Sequence, residues 1–153
     1  KRPGHLSDDK ASNIDVIIHA LNQVKSDVFI ILQPTSPLRT VYDIDKCLEL
    51  LSENAYKMII SAAIVKNYPY SFVLNSSGMI SDNKLKNITT NRQDYNQYYT
   101  VNGAIYLSLT DYFLDEKSFF TEHTYVYKMP QEKSIDIDEM DDWTLAEKLF
   151  QDI

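Results

Sequence analysis

The sequence has very little cysteine and glycine. It contains one cysteine, Cys47, and three glycines among its 153 residues. A single cysteine excludes a disulfide within the chain, which suits a reducing compartment. Cys47 lies inside an amphipathic run between Asp43 and Leu51, so we interpret it as a small core hydrophobe. The fold is therefore expected to rest on noncovalent packing.

Clustered positive charge and long apolar segments are also absent. The formal net charge is −7, and the 15 lysines and arginines are scattered, which gives nucleic-acid binding little support. The longest nearly apolar stretch, residues 58–65, is far too short to span a bilayer, and polar residues rather than a signal-peptide core follow the first five. The sequence predicts a soluble, cytoplasmic protein without a nucleic-acid or membrane partner.

Helical and strand patterns alternate along the first half of the chain. Hydrophobic residues make up 44% of the sequence, which fits one globular domain over residues 1–153. Apolar residues at helical spacing predict helices at 13–24 and 41–52, and short apolar runs predict buried strands at 28–32 and 58–65. This order predicts an α/β fold with a mostly parallel sheet covered by helices, whose ligands gather outside the carboxyl ends of strands.

The pattern changes after the second predicted strand. Between residues 68 and 99, short alternating segments flank the turn signal Asn75-Ser76-Ser77-Gly78, which predicts a small strand-rich excursion from the main sheet. Beyond the excursion the sequence predicts a strand at 103–107, a helix at 110–116 capped by Thr110, a strand at 125–127 and a last helix at 140–151.

Two aspartates alternate with isoleucines in Ser134-Ile135-Asp136-Ile137-Asp138. In an extended chain the carboxylates of Asp136 and Asp138 face the same way, where they repel each other unless a cation lies between them. Mg²⁺ is typically bound by one or two carboxylates together with substrate phosphate oxygens. A solvated edge strand or a cap of the following helix would explain the same pattern, because the first turn of a helix favours negative charge.

Gln33 and Arg39 enclose a loop with two prolines at the end of the first predicted strand. The Gln33 amide both donates and accepts hydrogen bonds, so it would suit a sugar or a base, or it would satisfy backbone groups of the loop. Arg39 would bind an anion or act electrostatically on the neighbouring helix.

Four further residues are candidates for ligand contact. Arg92 would hold a carboxylate or phosphate through two parallel hydrogen bonds, and Asn102 precedes a glycine that allows close backbone approach. A surface arginine and an ordinary turn are the alternatives. The adjacent rings of Phe119 and Phe120 cannot share one face of a strand or helix, so one is expected in the core and the other at a pocket or a partner subunit.

Taken together, these stretches resemble the CMP-sialic acid synthetases, also called acylneuraminate cytidylyltransferases. They occur in the family's order and cover nearly the whole chain. The proline-rich loop and the Asp-x-Asp segment are specific in combination. The matching pieces are Arg2-Pro3, Ser7-Asp8-Asp9, Ala11-Ser12, His19-Ala20-Leu21, Gln33-Pro34-Thr35-Ser36-Pro37-Leu38-Arg39, Asn102-Gly103-Ala104-Ile105-Tyr106 and Ser134-Ile135-Asp136-Ile137-Asp138.

The resemblance implies a nucleotide-binding, Rossmann-like fold that transfers CMP from CTP to an acidic nine-carbon sugar such as N-acetylneuraminic acid, with release of pyrophosphate. It also implies that residues 68–99 form a dimerisation arm and that the protein is a homodimer. The site residues that it implies are Arg2, Ala11 and Asn13 for the nucleotide; Gln33, Asn102, Tyr106, Phe119 and Phe120 for the sugar; Asp136 and Asp138 for Mg²⁺; and Arg92, Asp136 and Asp138 for catalysis.

Three features depart from the family pattern. The family's phosphate-cradling segment, rich in Gly, Arg, Ser and Lys, has no counterpart, so the chain resembles the family's carboxyl-terminal portion and is expected to be inactive alone. Ser71 stands where the family often has a lysine, and Thr100 stands where an arginine precedes the Asn-Gly pair. These departures leave open a legionaminic-type sugar, a related nucleotidyltransferase that uses GTP or UTP, and a catalytically idle dimerisation or binding module.

Overall fold

Helices and strands alternate along the chain. The computed structural model describes residues 2–8, 11–53, 56–65, 76–77, 79 and 97–151. The elements within these ranges are α1 (Asn13–Leu21), β1 (Val28–Ile31), α2 (Val41–Glu53), β2 (Met58–Ile64), β3 (Tyr99–Leu109), α3 (Thr110–Glu116), β4 (Thr124–Lys128) and α4 (Met140–Phe150), with 3₁₀ turns at Gly4–Leu6 and Gln131–Lys133. None of the described helices has the length and apolar character needed to cross a membrane.

The described strands form one mixed sheet in the order β1-β3-β2-β4. β3 is antiparallel to both of its neighbours, whereas β2 and β4 are parallel. β1, β2 and β4 therefore run in one direction, and β3 runs against them. The predicted α/β fold is confirmed. The sheet, which the sequence predicts to be mostly parallel, is mixed: three of the four described strands run in one direction, but two of the three described strand pairs are antiparallel because β3 lies between β1 and β2.

Both faces of the sheet bury apolar side chains. Alternation along β2 sends Ile59 to one face and Met58 and Ile60 to the other. Residues of α2, including Cys47, pack on the face of Ile59, and residues of α1 and α3, including Phe113, pack on the opposite face. Helices thus cover both faces of the sheet, as the continuous apolar run of β2 predicts.

The predicted elements are present, with differences at their ends. α1 begins after Ser12, whose hydroxyl accepts a hydrogen bond from the N–H of Ile14 at 3.2 Å, and it ends at Leu21 rather than at residue 24. The predicted cap of α3 is wrong, because Leu109 is its N-cap residue and no side chain caps it. Thr110 is instead buried, and its hydroxyl lies 3.4 Å from that of Ser26, before β1.

The predicted strand-rich excursion at residues 68–99 lies mostly outside the described residues. Only residues 76–77, 79 and 97–99 of it are described, and Tyr99 already begins β3. The dimerisation arm and the homodimer therefore stay predictions.

Asp43 joins the start of α2 to β4. Its side chain is 2% exposed, and its Oδ2 accepts hydrogen bonds from the N–H of Thr40 at 2.8 Å and from the Thr40 hydroxyl at 2.7 Å. Its Oδ1 accepts from the Tyr127 hydroxyl at 3.0 Å, and the Lys133 ammonium lies 3.8 Å from Oδ2. Burial acts to raise the pKa of Asp43, but the hydrogen bonds and the charge of Lys133 together lower it below its usual value.

Cys47 lies one helical turn after Asp43, where its side chain is fully buried. Burial, and secondarily the charge of Asp43, raise the pKa of the Cys47 thiol to about 12. The thiol is therefore protonated at neutral pH, which agrees with its interpretation as a small core hydrophobe.

Replacing Asp43→Asn should make the free energy of unfolding less dependent on acidic pH. Because the folded pKa of Asp43 lies below its unfolded pKa, ionised Asp43 contributes stability above the unfolded pKa, and this contribution is lost as pH falls through the folded pKa. We expect the variant to lose about 1–3 kcal/mol at neutral pH, since buried donors lose their acceptor. Urea unfolding across the acidic range measures the difference.

The exposed Asp45→Asn change, also in α2, is the matched control and should leave the pH dependence unchanged. Equal pH dependence in the wild type and the Asp43→Asn variant would contradict this account of Asp43.

Candidate functional site

A bulge in β3 lies at the centre of the candidate site. The pairing of β2 with β3 shifts between Ile60 and Ala62, so that Ser61 alone faces residues 102–105. Gly103, inside the bulge, has a φ of 72°, a left-handed conformation that glycine adopts without steric cost. The geometry of this turn therefore favours glycine at position 103.

The hydroxyl of Ser61 fills the inside of the bulge. Ser61 is fully buried, and its hydroxyl donates to Asn102 Oδ1 at 2.6 Å and accepts from the N–H of Ile105 at 2.8 Å. It therefore bonds both ends of residues 102–105, which do not pair regularly with β2.

The side chain of Asn102 is 4% exposed and bonds to protein groups on every side. Its Oδ1 accepts from the Ser61 hydroxyl and from the N–H of Ala104 at 3.3 Å, and its Nδ2 donates to Ser134 Oγ at 2.8 Å and to Met129 Sδ at 3.4 Å. Both acceptor positions and both donor hydrogens are thus occupied. Sugar binding by Asn102 stays a prediction, and through the side chain it would require one of these bonds to break.

The loop between β1 and α2 packs onto the same bulge. The buried Ser36 hydroxyl donates to the Asn102 carbonyl at 3.0 Å. Arg39 Nη1 donates to the carbonyls of Gln33 at 2.9 Å, Ser36 at 3.0 Å and Ala104 at 3.1 Å, and burial lowers the pKa of Arg39. Arg39 thereby has a role that the sequence did not predict, as a link between the loop and β3.

The Asp-x-Asp segment completes the cluster. The N–H of Ile137 donates to the carbonyl of Thr35 at 2.8 Å, which joins this segment to the loop. The three motifs that the sequence analysis singled out, at residues 33–39, 102–106 and 134–138, therefore lie together in the fold.

Gly103 is the point where the polar side chains of these motifs meet. A Cβ atom at this position would overlap Gln33 Oε1, and it would lie 3.1 Å from Ser36 Oγ and 3.4 Å from Asp136 Oδ2. An amide, a hydroxyl and a carboxylate thus surround one backbone position. Such a set can donate to and accept from the hydroxyls of a sugar.

Asp136 fits a magnesium ligand. Its Oδ1 is buried and has no hydrogen-bond partner within the described part of the chain, which is costly for a carboxylate oxygen and favours a cation as its partner. Asp138 is exposed at the start of α4, and its N–H donates to Asp142 Oδ2 at 3.2 Å. Glu139 and Asp142 form the capping box of α4, so the cap that the sequence suggested belongs to them.

A metal at this position would need ligands in addition to the described carboxylates. Among the described residues no group of three or more histidine, cysteine, aspartate or glutamate side chains could hold a metal ion. Mg²⁺ commonly completes its coordination with water and substrate phosphate oxygens, so the Asp136 carboxylate remains compatible with it. Binding of Mg²⁺ by Asp136 and Asp138 stays a prediction.

The aromatic candidates lie at two different depths. Tyr106 packs against Phe119 with ring centroids 4.8 Å apart, and burial, followed by the charge of Asp136, raises the pKa of Tyr106. Phe119 is 8% exposed and also packs against Phe113, whereas Phe120 is 71% exposed. The prediction that one ring of the pair lies in the core is confirmed. Sugar contact by these residues stays a prediction.

The predicted nucleotide-binding residues precede and begin α1. Arg2 is exposed and its Nε donates to Ser7 Oγ at 3.2 Å, Ala11 is half-buried, and Asn13 is the exposed first residue of α1. No hydrogen bond between described residues links these three to the cluster around Gly103. Arg92 lies outside the described residues, so its catalytic role stays a prediction.

Ser61 is a site residue that the sequence motifs do not predict. It is the polar residue in the apolar run at 58–65, and a hydroxyl inside such a run must find a partner when the strand is buried. That signal points to a hydrogen-bonded feature on a neighbouring strand, although the sequence alone does not identify the strand.

Comparison with known proteins gives related sequences but no matching protein-family model. The N-acylneuraminate cytidylyltransferase of Streptococcus agalactiae serotype V is 35% identical over 144 residues, covering 93% of this chain and 35% of that protein. Post-translational flagellin modification protein B of Campylobacter coli is 30% identical over 159 residues, covering 99% of this chain and 67% of that protein. The CMP-N,N'-diacetyllegionaminic acid synthase of Legionella pneumophila is 28% identical over 159 residues, covering 97% of this chain and 68% of that protein.

The chain spans about a third of the length of the Streptococcus agalactiae protein. Among solved structures, CMP:2-keto-3-deoxy-manno-octonic acid synthetase complexed with CTP is similar, with a TM-score of 0.57 and 14% identity over 95% of this chain and 70% of that chain. This likeness confirms the Rossmann-like α/β fold.

Replacing Gly103→Ala should destabilise the protein and displace Gln33. The left-handed backbone costs a residue with a Cβ about 1–2 kcal/mol, and the new methyl group would overlap Gln33 Oε1. Thermal or urea unfolding measures the loss. Adding Gln33→Ala should relieve the overlap but not the backbone cost.

Gly4→Ala is the matched control, because a Cβ at Gly4 meets nothing within 4 Å. We expect that change to alter the free energy of unfolding by less than about 0.5 kcal/mol. A Gly103→Ala variant as stable as Gly4→Ala would show that the turn is not constrained in this way.

Proposed function

The chain belongs to the CMP-sialic acid synthetase (acylneuraminate cytidylyltransferase) family, and from this premise we propose that it transfers CMP from CTP to an acidic nine-carbon sugar. The observation that carries the proposal is the meeting of Gln33, Gly103 and Asp136 at the bulge of β3. There an amide suited to sugar hydroxyls lies beside a carboxylate whose Oδ1 has no hydrogen-bond partner among the described residues.

The proposed reaction is attack of the sugar's anomeric hydroxyl on the α-phosphorus of CTP. The new bond joins the sugar oxygen to that phosphorus, and the hydroxyl proton is released to solvent. The bond from the phosphorus to the departing pyrophosphate breaks, and its electron pair leaves on the pyrophosphate oxygen. In such an in-line displacement a protein mainly positions the reactants and neutralises charge. Asp136 and Asp138 would hold Mg²⁺, which when bound supplies positive charge near the phosphates and lowers the pKa of a coordinated hydroxyl.

The protein's own groups would orient the sugar. Gln33 would donate to and accept from its hydroxyls, and Gly103 allows the sugar to approach the backbone closely because it has no side chain. Tyr106, at the rim of the same cluster, carries a hydroxyl that stays protonated and can donate a hydrogen bond, since its pKa is raised. Phe119 supports the Tyr106 ring from the core.

The remaining proposed roles rest on the family alone. Arg2, Ala11 and Asn13 would contact the nucleotide, and Arg92 would hold the carboxylate of the sugar or a phosphate. Asn102 and Phe120 would border the sugar. The proposal also includes a homodimer formed through residues 68–99 and a cytoplasmic location.

A second candidate differs in the sugar. The Legionella pneumophila relative is a CMP-N,N'-diacetyllegionaminic acid synthase, and it aligns with 97% of this chain. Ser71 and Thr100 depart from the pattern of the sialic acid enzymes, so a legionaminic-type acid is the alternative substrate that the sequence favours. Another base, or a catalytically idle binding module, remains the further alternative.

Pyrophosphate release is the measurement that tests the reaction. We expect the protein produced from the complete reading frame to release pyrophosphate with CTP, Mg²⁺ and one of a panel of nine-carbon sugar acids. The 153-residue chain is assayed in parallel, together with reactions that contain GTP or UTP. Release with GTP or UTP alone would favour the related nucleotidyltransferase, and no release under any condition would support the idle module.

Asp136→Ala should remove magnesium-dependent activity without loss of stability. Because Asp136 Oδ1 is buried without a described hydrogen-bond partner, we expect the variant to be at least as stable as the wild type in the absence of Mg²⁺. The rate should fall about a hundredfold or more, since a metal ligand contributes several kcal/mol to the transition state.

Thermal unfolding with and without Mg²⁺ gives a second readout for this variant. Mg²⁺ at ten times its dissociation constant should stabilise the wild type by about 1.4 kcal/mol and should not stabilise Asp136→Ala. Asp141→Ala, an exposed aspartate in α4, is the control. Equal stabilisation of all three proteins would exclude Asp136 as a ligand.

A further inference from the structure

The guanidinium of Arg39 joins two segments that are far apart in the sequence. One nitrogen, Nη1, donates to the carbonyls of Gln33 and Ser36 in the loop after β1 and to the carbonyl of Ala104 in β3. The donor–acceptor distances of 2.9, 3.0 and 3.1 Å are all within the normal range. Arg39 thus fixes where the loop lies relative to the bulge.

No carboxylate in the described part of the chain forms an ion pair with Arg39. It is half-buried, no acidic side chain within the described ranges lies within 4.0 Å of it, and burial lowers its pKa. Three carbonyl dipoles therefore compensate its charge. A charged donor makes stronger hydrogen bonds than a neutral one, so a neutral side chain of similar shape would not replace it. Two hydrogens on Nη1 serve three carbonyls, so at least one hydrogen bond is shared.

The three carbonyls that accept from Arg39 belong to residues at or next to the proposed sugar site. Gln33 provides both a linked carbonyl and the side-chain oxygen that meets Gly103, and Ala104 directly follows Gly103. The hydroxyl of Ser36 adds a bond to the Asn102 carbonyl at 3.0 Å. Removing the guanidinium would leave three carbonyls without this donor and would free the loop to move away from the bulge.

We propose that Arg39 is a positioning residue that holds the Gln33 amide against Gly103, and that it touches neither the sugar nor the nucleotide. Its effect on catalysis rests on the proposed function, because that function assigns Gln33 to the sugar. Its effect on the position of Gln33 does not depend on that function. The effect on position and the effect on catalysis can therefore be measured separately.

The geometry is tested through the three glycines of the chain, Gly4, Gly78 and Gly103. Protein labelled with ¹⁵N-glycine gives three backbone amide signals, which Gly4→Ala and Gly103→Ala variants assign. We expect Arg39→Ala to shift the Gly103 signal and to leave the Gly4 signal in place. Lys46→Ala, which removes a partly exposed cation from α2, should shift none of them.

Rescue experiments separate positioning from general destabilisation. Guanidinium ion added to folded Arg39→Ala should return the Gly103 signal toward its wild-type position, and Arg39→Lys, which keeps the charge, should shift it less than Arg39→Ala. In the complete enzyme, Arg39→Ala should raise the KM for the sugar about tenfold and leave the KM for CTP unchanged.

The outcomes test the positioning role of Arg39 and the proposed function separately. An unmoved Gly103 signal in folded Arg39→Ala overturns the positioning role, as does a raised KM for CTP with an unchanged KM for the sugar. If Arg39→Ala does not fold, the shift of the Gly103 signal in Arg39→Lys decides in its place. A shifted and rescued signal in a protein that transfers no nucleotide would support the positioning role and reject the proposed function.

Discussion

The Ser61 hydroxyl donates to the Asn102 amide and accepts from the N–H of Ile105, and the candidate site is built around these two buried hydrogen bonds. Without them the amide and the N–H would be buried with fewer partners, at a cost of about 1–3 kcal/mol for each unsatisfied group. The loop that carries Gln33 and the segment that carries Asp136 both lie against the turn that this hydroxyl supports. The position of the site therefore depends on a side chain that no ligand is proposed to touch.

The cluster around Gly103 combines groups that are fully bonded with one that is not. Asn102 is saturated by hydrogen bonds from the protein, whereas Asp136 has a buried oxygen without a described partner. A fully bonded network gives a rigid support, and an unpaired carboxylate oxygen is a cost that folding alone does not explain. Natural proteins tolerate such costs where function requires them. This contrast distinguishes the Asn102 side chain, which supports the turn, from the Asp136 carboxylate, which we propose binds Mg²⁺.

The sequence predicted the elements well where one physical signal dominates. The apolar run of β2 and the helical spacing of α2 each gave the element and nearly its bounds. The family resemblance led us to expect that the motifs lie together. The contacts of Arg39 could not be predicted, because Arg39 donates to backbone carbonyls and every residue has one, so no side chain in the sequence marks its partners. The predicted cap of α3 is wrong for a related reason. The Thr110 hydroxyl lies near that of Ser26, which is distant in the sequence, and the local sequence around α3 does not contain that neighbour.

The bulge also changes which face of the sheet each residue of β3 occupies. The four residues 102–105 stand opposite the single residue Ser61, so β3 has three extra residues at this point. Because three is an odd number, the alternation of side chains between the two faces reverses across the turn. Leu107 accordingly packs with α2, whereas Val101, also odd-numbered, packs on the opposite face. Deleting one residue here would exchange the side chains of the two sheet faces over the start of β3. Changes of chain length at this turn would keep the two faces of the sheet intact only in steps of two residues.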